Sequence, residues 1–160
     1  MKFEHERADL AGTSDLLLPD AAATAALGAA IAHVLRRGEA VCLRGPLGAG
    51  KTTLARGLIR ALTRPDEEVP SPSFTLVQGY DGPAFPIAHF DFYRLVRVEE
   101  LRELGLDEAL DDGAAIIEWP ERIEDRLPAD RLDIVLSLEG EGRAARLIRH
   151  GAWEGRSLEL

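Results

Sequence analysis

Gly45, four intervening residues and then Gly50-Lys51-Thr52 follow the spacing G-x-x-x-x-G-K-[ST], an arrangement that grips phosphate. Glycines let the backbone close around an anion so that successive N–H groups point inward. The loop through Gly45, Leu47, Gly48, Ala49 and Gly50 would supply that nest, and the helix opening at Lys51-Thr52-Thr53 would add its positive end. Lys51 places a charge near the β- and γ-phosphates, and the Thr52 hydroxyl is placed to coordinate Mg2+. The expected ligand is a nucleoside triphosphate with Mg2+.

Such a site needs an acid at the carboxyl end of a neighbouring strand, and two compete. Glu118 ends the apolar run Ala114-Ala115-Ile116-Ile117, the profile of a buried parallel strand. Asp91 lies in "AHFDFYR", where Phe90 and Phe92 share one face and His89, Asp91 and Tyr93 the other. Both acids are expected to line one site, holding Mg2+ directly, through its water, or by orienting an attacking water. His89 reads as a hydrogen-bonding residue rather than a base. Trp119, directly after Glu118, can wall the site. "PSPSFTLV" offers Ser71, Ser73 and Thr75 in a loop stiffened by Pro70 and Pro72, where a hydroxyl can sense a γ-phosphate.

The elements that must position these residues form an α/β pattern. Asp20 is an N-cap for a helix carrying Leu27, Ile31, Val34 and Leu35 on one face, with Arg36, Arg37 and Gly38 at its end. "AVCLRG" is a strand running into the glycine loop. Leu54, Leu58 and Leu62 mark the next helix, which Pro65 stops. "FTLVQGY" and "PIAHFDFYRL" are two strands around "DGP", and "VEELRELG" is a short helix with a Glu99–Arg102 pair on its surface. "RLDIVLSLEG" and "ARLIRH" form an antiparallel hairpin, with Ile134, Leu136 and Leu138 on one side. The expected fold is a single P-loop NTPase-like α/β domain over residues 1–160. Its central sheet is mostly parallel and flanked by helices, with the antiparallel hairpin at the C-terminus.

The chain has 160 residues, 46% hydrophobic, enough for a packed core. With 19 Lys and Arg against 28 Asp and Glu, the net charge of −9 argues against gripping nucleic acid directly, though not against acting on it through a basic partner. One cysteine, Cys42, excludes an internal disulfide, and no apolar run is long enough to span a membrane. The charged start "MKFEHERADL" lacks a signal-peptide core, so a cytoplasmic protein is expected. No guanine-reading Asn/Thr-Lys-x-Asp segment and no Leu-Ser-Gly-Gly signature occurs, which leaves GTPases and transporter ATPases aside. A small-molecule kinase, with Arg94, Arg97 and Arg102 as lid arginines, stays open, as does a nucleotide-dependent binding switch.

The series "GPLGAGKTTLARGL", "SPSFTLV", "HFDFYRL" and "IIEWPER", at these separations, resembles the TsaE family, the P-loop ATPases of bacterial tRNA threonylcarbamoyladenosine synthesis. The resemblance implies that Gly45 to Thr52 hold ATP, with Thr52 and Glu118 on Mg2+. It implies that Trp119 is needed for activity and that Asp91 is the acid of a His-x-Asp segment. Ser73 stands where the family more often has threonine, which keeps the hydroxyl. TsaB and TsaD are the implied partners, with tRNA reached indirectly through their complex.

Overall fold

The apolar strands at the centre of the molecule are buried on both faces, which is why they read as continuous hydrophobic runs rather than alternating ones. In a computed structural model describing residues 4–8 and 12–160, these strands are β3 (Ala40–Arg44) and β6 (Ala114–Glu118). The remainder of the charged N-terminal segment lies outside the described residues. Around this pair the described strands make one eight-stranded sheet. They are β1 (Glu4–Ala8), β2 (Thr13–Leu18), β4 (Val77–Asp81), β5 (Pro86–Asp91), β7 (Arg131–Glu139) and β8 (Gly142–His150), in the order β1-β2-β8-β7-β3-β6-β5-β4. The middle four, β7-β3-β6-β5, are parallel. The C-terminal hairpin β7–β8 and the outer strands on both sides are antiparallel.

Alternate residues of the central strands feed two cores. Val41, Leu43, Ile116 and Ile134 pack under helices α1 (Ala21–Ala32) and α2 (Lys51–Leu62). Cys42, Ile117, Phe90 and Phe92 pack on the other face with Leu101 of α3 (Leu101–Leu104) and Leu106 of α4 (Leu106–Asp112). Burial of this kind is worth about 25 cal/mol per Å2 of apolar surface. It raises the pKa of the Cys42 thiol far above the ordinary value, so the thiol stays protonated. Among the described residues no helix is long and apolar enough to cross a membrane.

Helices α1 and α2 approach at backbone distance. A Cβ on Gly28 would lie 2.3 Å from the Leu54 carbonyl oxygen, and one on Gly57 would lie 2.2 Å from that of Ala25. Glycine is required at both crossings, since nothing at the contact but main chain could move aside.

Several boundaries differ from the sequence reading, each for a local reason. Asp20 caps α1 as expected, accepting from the Ala23 amide at 2.8 Å, but the helix stops at Ala32, short of Arg36 and Arg37. Glu39 takes the Arg36 amide at 2.9 Å, and Arg37 instead donates to the carbonyls of Asp112 and Ala84. β4 starts at Val77, not Phe74, because Leu76 has φ 68° and residues 73–75 form a turn. The "VEELRELG" helix is a 3₁₀ turn (Val98–Glu100) running into α3. Gly105, at φ 77°, separates it from the unanticipated α4. No Glu99–Arg102 pair forms there; the Arg97 amide donates to Glu100 at 3.2 Å. Leu138 is 58% exposed, because the hairpin runs past the edge of the core.

Candidate functional site

Register brings the chemistry to one edge of the sheet. Leu43 pairs with Glu118 and Glu118 with Asp91, so Glu118 ends the strand beside the one that feeds the glycine loop and Asp91 ends the next strand out. A cavity of about 290 Å3 opens there. Leu47, Gly48, Gly50, Lys51, Thr52 and Thr53 line one side of it. Ser71, Ser73, Asp91, Tyr93, Glu118 and Trp119 line the other. Of the loop residues singled out in the sequence, Gly45 and Ala49 do not line it. Gly45 turns its α-carbon toward the Leu136 carbonyl, where a Cβ would sit 2.4 Å from the oxygen, and Ala49 is buried in the core.

The loop has the shape that anion binding demands. Gly45, Gly48 and Gly50 have φ of 142°, 80° and 101°, values that L side chains rarely adopt, and Gly50 leads directly into α2. Lys51 is folded back on its own loop, donating to the carbonyls of Gly45 (2.6 Å) and Pro46 (2.9 Å), with its ammonium 4.2 Å from the centre of the Trp119 ring. Such a cation–π contact contributes about 0.5–2 kcal/mol. Burial lowers the Lys51 pKa, opposed by the field of Glu118, Glu121 and Asp91.

Opposite the loop, Glu118 bridges two elements. Its Oε1 accepts from the Thr52 hydroxyl at 2.9 Å, and its Oε2 meets His89 Nε2 at 2.6 Å. His89 is wholly buried, and its Nδ1 has no hydrogen-bond partner among the described residues. It therefore orients Glu118 rather than facing the cavity, in keeping with the hydrogen-bonding role read for it. Asp91, buried, accepts from the Tyr93 amide at 3.0 Å and from the Ser71 hydroxyl at 3.4 Å. Burial raises its pKa, the Tyr93 hydrogen bond opposes that rise, and the nearby Glu118 adds to it. Ser73 reaches Asp91 only through Ser71, at 2.8 Å between hydroxyl oxygens. Asp91 makes no pair with Arg94, which stacks on Phe74 at 4.5 Å.

Trp119 adopts φ 60°, ψ 50°, a left-handed conformation that costs a non-glycine residue about 1–3 kcal/mol. Its ring rests on Tyr93 at 4.8 Å between centroids. The family model described as "Threonylcarbamoyl adenosine biosynthesis protein TsaE" matches residues 18–147. The chain belongs to the TsaE family. A TsaE of Rickettsia bellii is 41% identical over 109 residues, 68% of this chain and 76% of the relative. A TsaE of Bacillus subtilis is 39% identical over 121 residues, 74% of this chain and 73% of the relative. A crystal structure of Bacillus subtilis YdiB superposes with a TM-score of 0.74 at 28% identity, covering 92% of both chains. TsaE membership makes this a nucleotide-binding protein of tRNA threonylcarbamoyladenosine biosynthesis.

Two arginines beside the glycine loop carried no signal in the sequence. Arg143, from β8, donates to the Gly48 carbonyl at 2.9 Å, and Arg44 ends the strand that enters the loop. Neither belongs to a local pattern, and only the sheet order brings β8 to the loop.

Proposed function

We propose that the chain is an ATP hydrolase of the cytoplasm that binds ATP-Mg and, through hydrolysis, resets the TsaB–TsaD complex as it modifies the tRNA adenosine beside the anticodon. The observation that carries this reading is the Thr52–Glu118 contact of 2.9 Å at the root of the phosphate loop. A hydroxyl and a carboxylate held together at a helix N-terminus are the donor set that Mg2+ takes when phosphates complete its shell.

Gly45 to Thr53 would bind the triphosphate through inward amides, and Lys51 would exchange the Gly45 and Pro46 carbonyls for phosphate oxygens. Thr52 and Glu118 would hold Mg2+, which when bound neutralises charge on the transferring phosphoryl group. His89, on the second oxygen of Glu118, would keep that carboxylate oriented. Asp91, with both oxygens engaged from the Ser71–Tyr93 side, would accept a proton from, or orient, the attacking water, while Ser73 would sense the γ-phosphate beside it. Trp119 would cover Lys51 and exclude solvent.

The test is reconstitution with tRNA, TsaB, TsaD and threonylcarbamoyl-adenylate, counted over several turnovers with and without this chain. Multiple turnovers that require the chain and consume ATP are expected. Rapid hydrolysis by the chain alone, with no gain from the partners, would refute the coupling. Phosphate recovered on a metabolite rather than in water would make the chain a small-molecule kinase.

A further inference from the structure

Arg44 immediately precedes Gly45 and lies outside the cavity. Its guanidinium forks onto both oxygens of Glu124, at 2.9 and 3.0 Å, and stands 3.8 Å from Glu121 and 3.6 Å from Asp133. Asp133 is itself fixed by Arg131 at 3.3 Å and His150 at 2.9 Å. Arg44 is therefore anchored to the sheet on one side and to a carboxylate on the other. Glu121 and Glu124 flank a kink at Ile123 (φ −134°, ψ 31°) that joins two 3₁₀ turns over Pro120–Arg126, the first of which begins at the residue after Trp119. Trp119 thus has Glu118, fixed in β6, on one side and the Arg44-held segment on the other. A left-handed non-glycine residue persists only where its surroundings over-determine it. The planar, bidentate guanidinium–carboxylate pair supplies direction as well as attraction, which a lysine could not.

We propose that the Arg44–Glu124 fork positions the site, holding the 3₁₀ segment so that Trp119 keeps its left-handed backbone and its ring over Lys51. Arg44 and Glu124 are then positioning residues, and the entrance of the phosphate loop and the exit of the acid-bearing strand move as one piece. The inference rests on the reading of the cavity as an ATP site.

The experiment uses the full chain carrying 5-fluorotryptophan. Its two tryptophans, Trp119 and the buried Trp153, give two fluorine resonances, assigned with Trp119→Phe. In Arg44→Gln and Glu124→Gln the Trp119 resonance is expected to shift and broaden while that of Trp153 stays in place. The double variant should go no further than either single one, because both remove the same pair. ATP turnover should fall by about tenfold in kcat with KM within about threefold, since orientation rather than grip is lost. Arg44→Lys should behave like Arg44→Gln. Glu124 is 52% exposed, so its variant tests the pair even where Arg44→Gln misfolds. An unmoved Trp119 resonance, additive single effects, or joint movement of both resonances would overturn the inference. Wild-type protein titrated with ATP-Mg is the control. Failure to bind there sinks the ATP reading, whereas binding there with unaltered variants sinks only the fork.

Discussion

The loop from Gly45 to Gly50 turns on three positive-φ glycines, whereas on the facing side of the pocket Trp119, and behind it Leu76, take positive φ without being glycine. The glycine side presents main chain and would serve any phosphate. The wall presents side chains (Asp91, Glu118, Trp119) drawn from two strands and their loops, and tertiary contacts hold it against backbone strain. The two sides are thus built by different means: one from local conformational freedom, the other from conformations enforced at a distance.

The sharpest way to break that division is Lys51→Ala. ATP binding should be lost in calorimetry and turnover reduced by about 10^3-fold or more, because the ammonium that lines the loop disappears. Glu118→Gln should separate the halves. Turnover falls by about 10^2-fold while nucleotide affinity measured without Mg2+ stays within a few-fold of wild type. Gly45→Ala attacks the grip through stability, since a Cβ would lie 2.4 Å from the Leu136 oxygen. Thermal unfolding should report a loss of about 2 kcal/mol or more.

Asp91 sharpens the comparison through pH. Burial raises its pKa, so its ionised form, and with it turnover, should be lost at a higher pH than an ordinary aspartate would dictate. Asp91→Asn should lower turnover by about tenfold and remove that limb of the pH profile. The folded chain binds this proton more tightly than the unfolded one, so ionised Asp91 costs stability as pH rises through its folded pKa. Asp91→Asn should therefore raise Tm at pH 7, a gain that fades below about pH 4, the unfolded aspartate value. The smallest effect belongs to Phe74→Ala. At 84% exposure the ring packs on little besides Arg94, and Tm should change by the equivalent of about 0.5 kcal/mol or less.

The same division sets what can be read from the chain's letters. The strand–loop–helix from Ala40 to Leu62 was legible because glycine spacing and i, i+4 leucines are local signals. Glu118 and Asp91 were legible as acids at strand ends, and the structure pairs them in register and lines one cavity with both. The hairpin β7–β8 was equally plain, but β1 and β2 extending the sheet beyond it was not, because strand order is non-local. The early end of α1 depended on Glu39, whose carboxylate is in turn held by Arg156 at 2.7 Å from the far C-terminus. The left-handed turns at Leu76 and Trp119 have no compositional mark, since neither is a residue that favours them.

The glycine crossings of α1 and α2 have a mechanical reading. With main chain against main chain at Gly28 and Gly57, the helix that starts at Lys51 has no slack to slide or rotate away from its neighbour. The two helices form one stiff beam, and the phosphate loop is its fixed end. A nucleotide held in this cavity would have the beam as a fixed abutment, so any adjustment of the pocket to it would fall on the facing Ser71–Ser73 side.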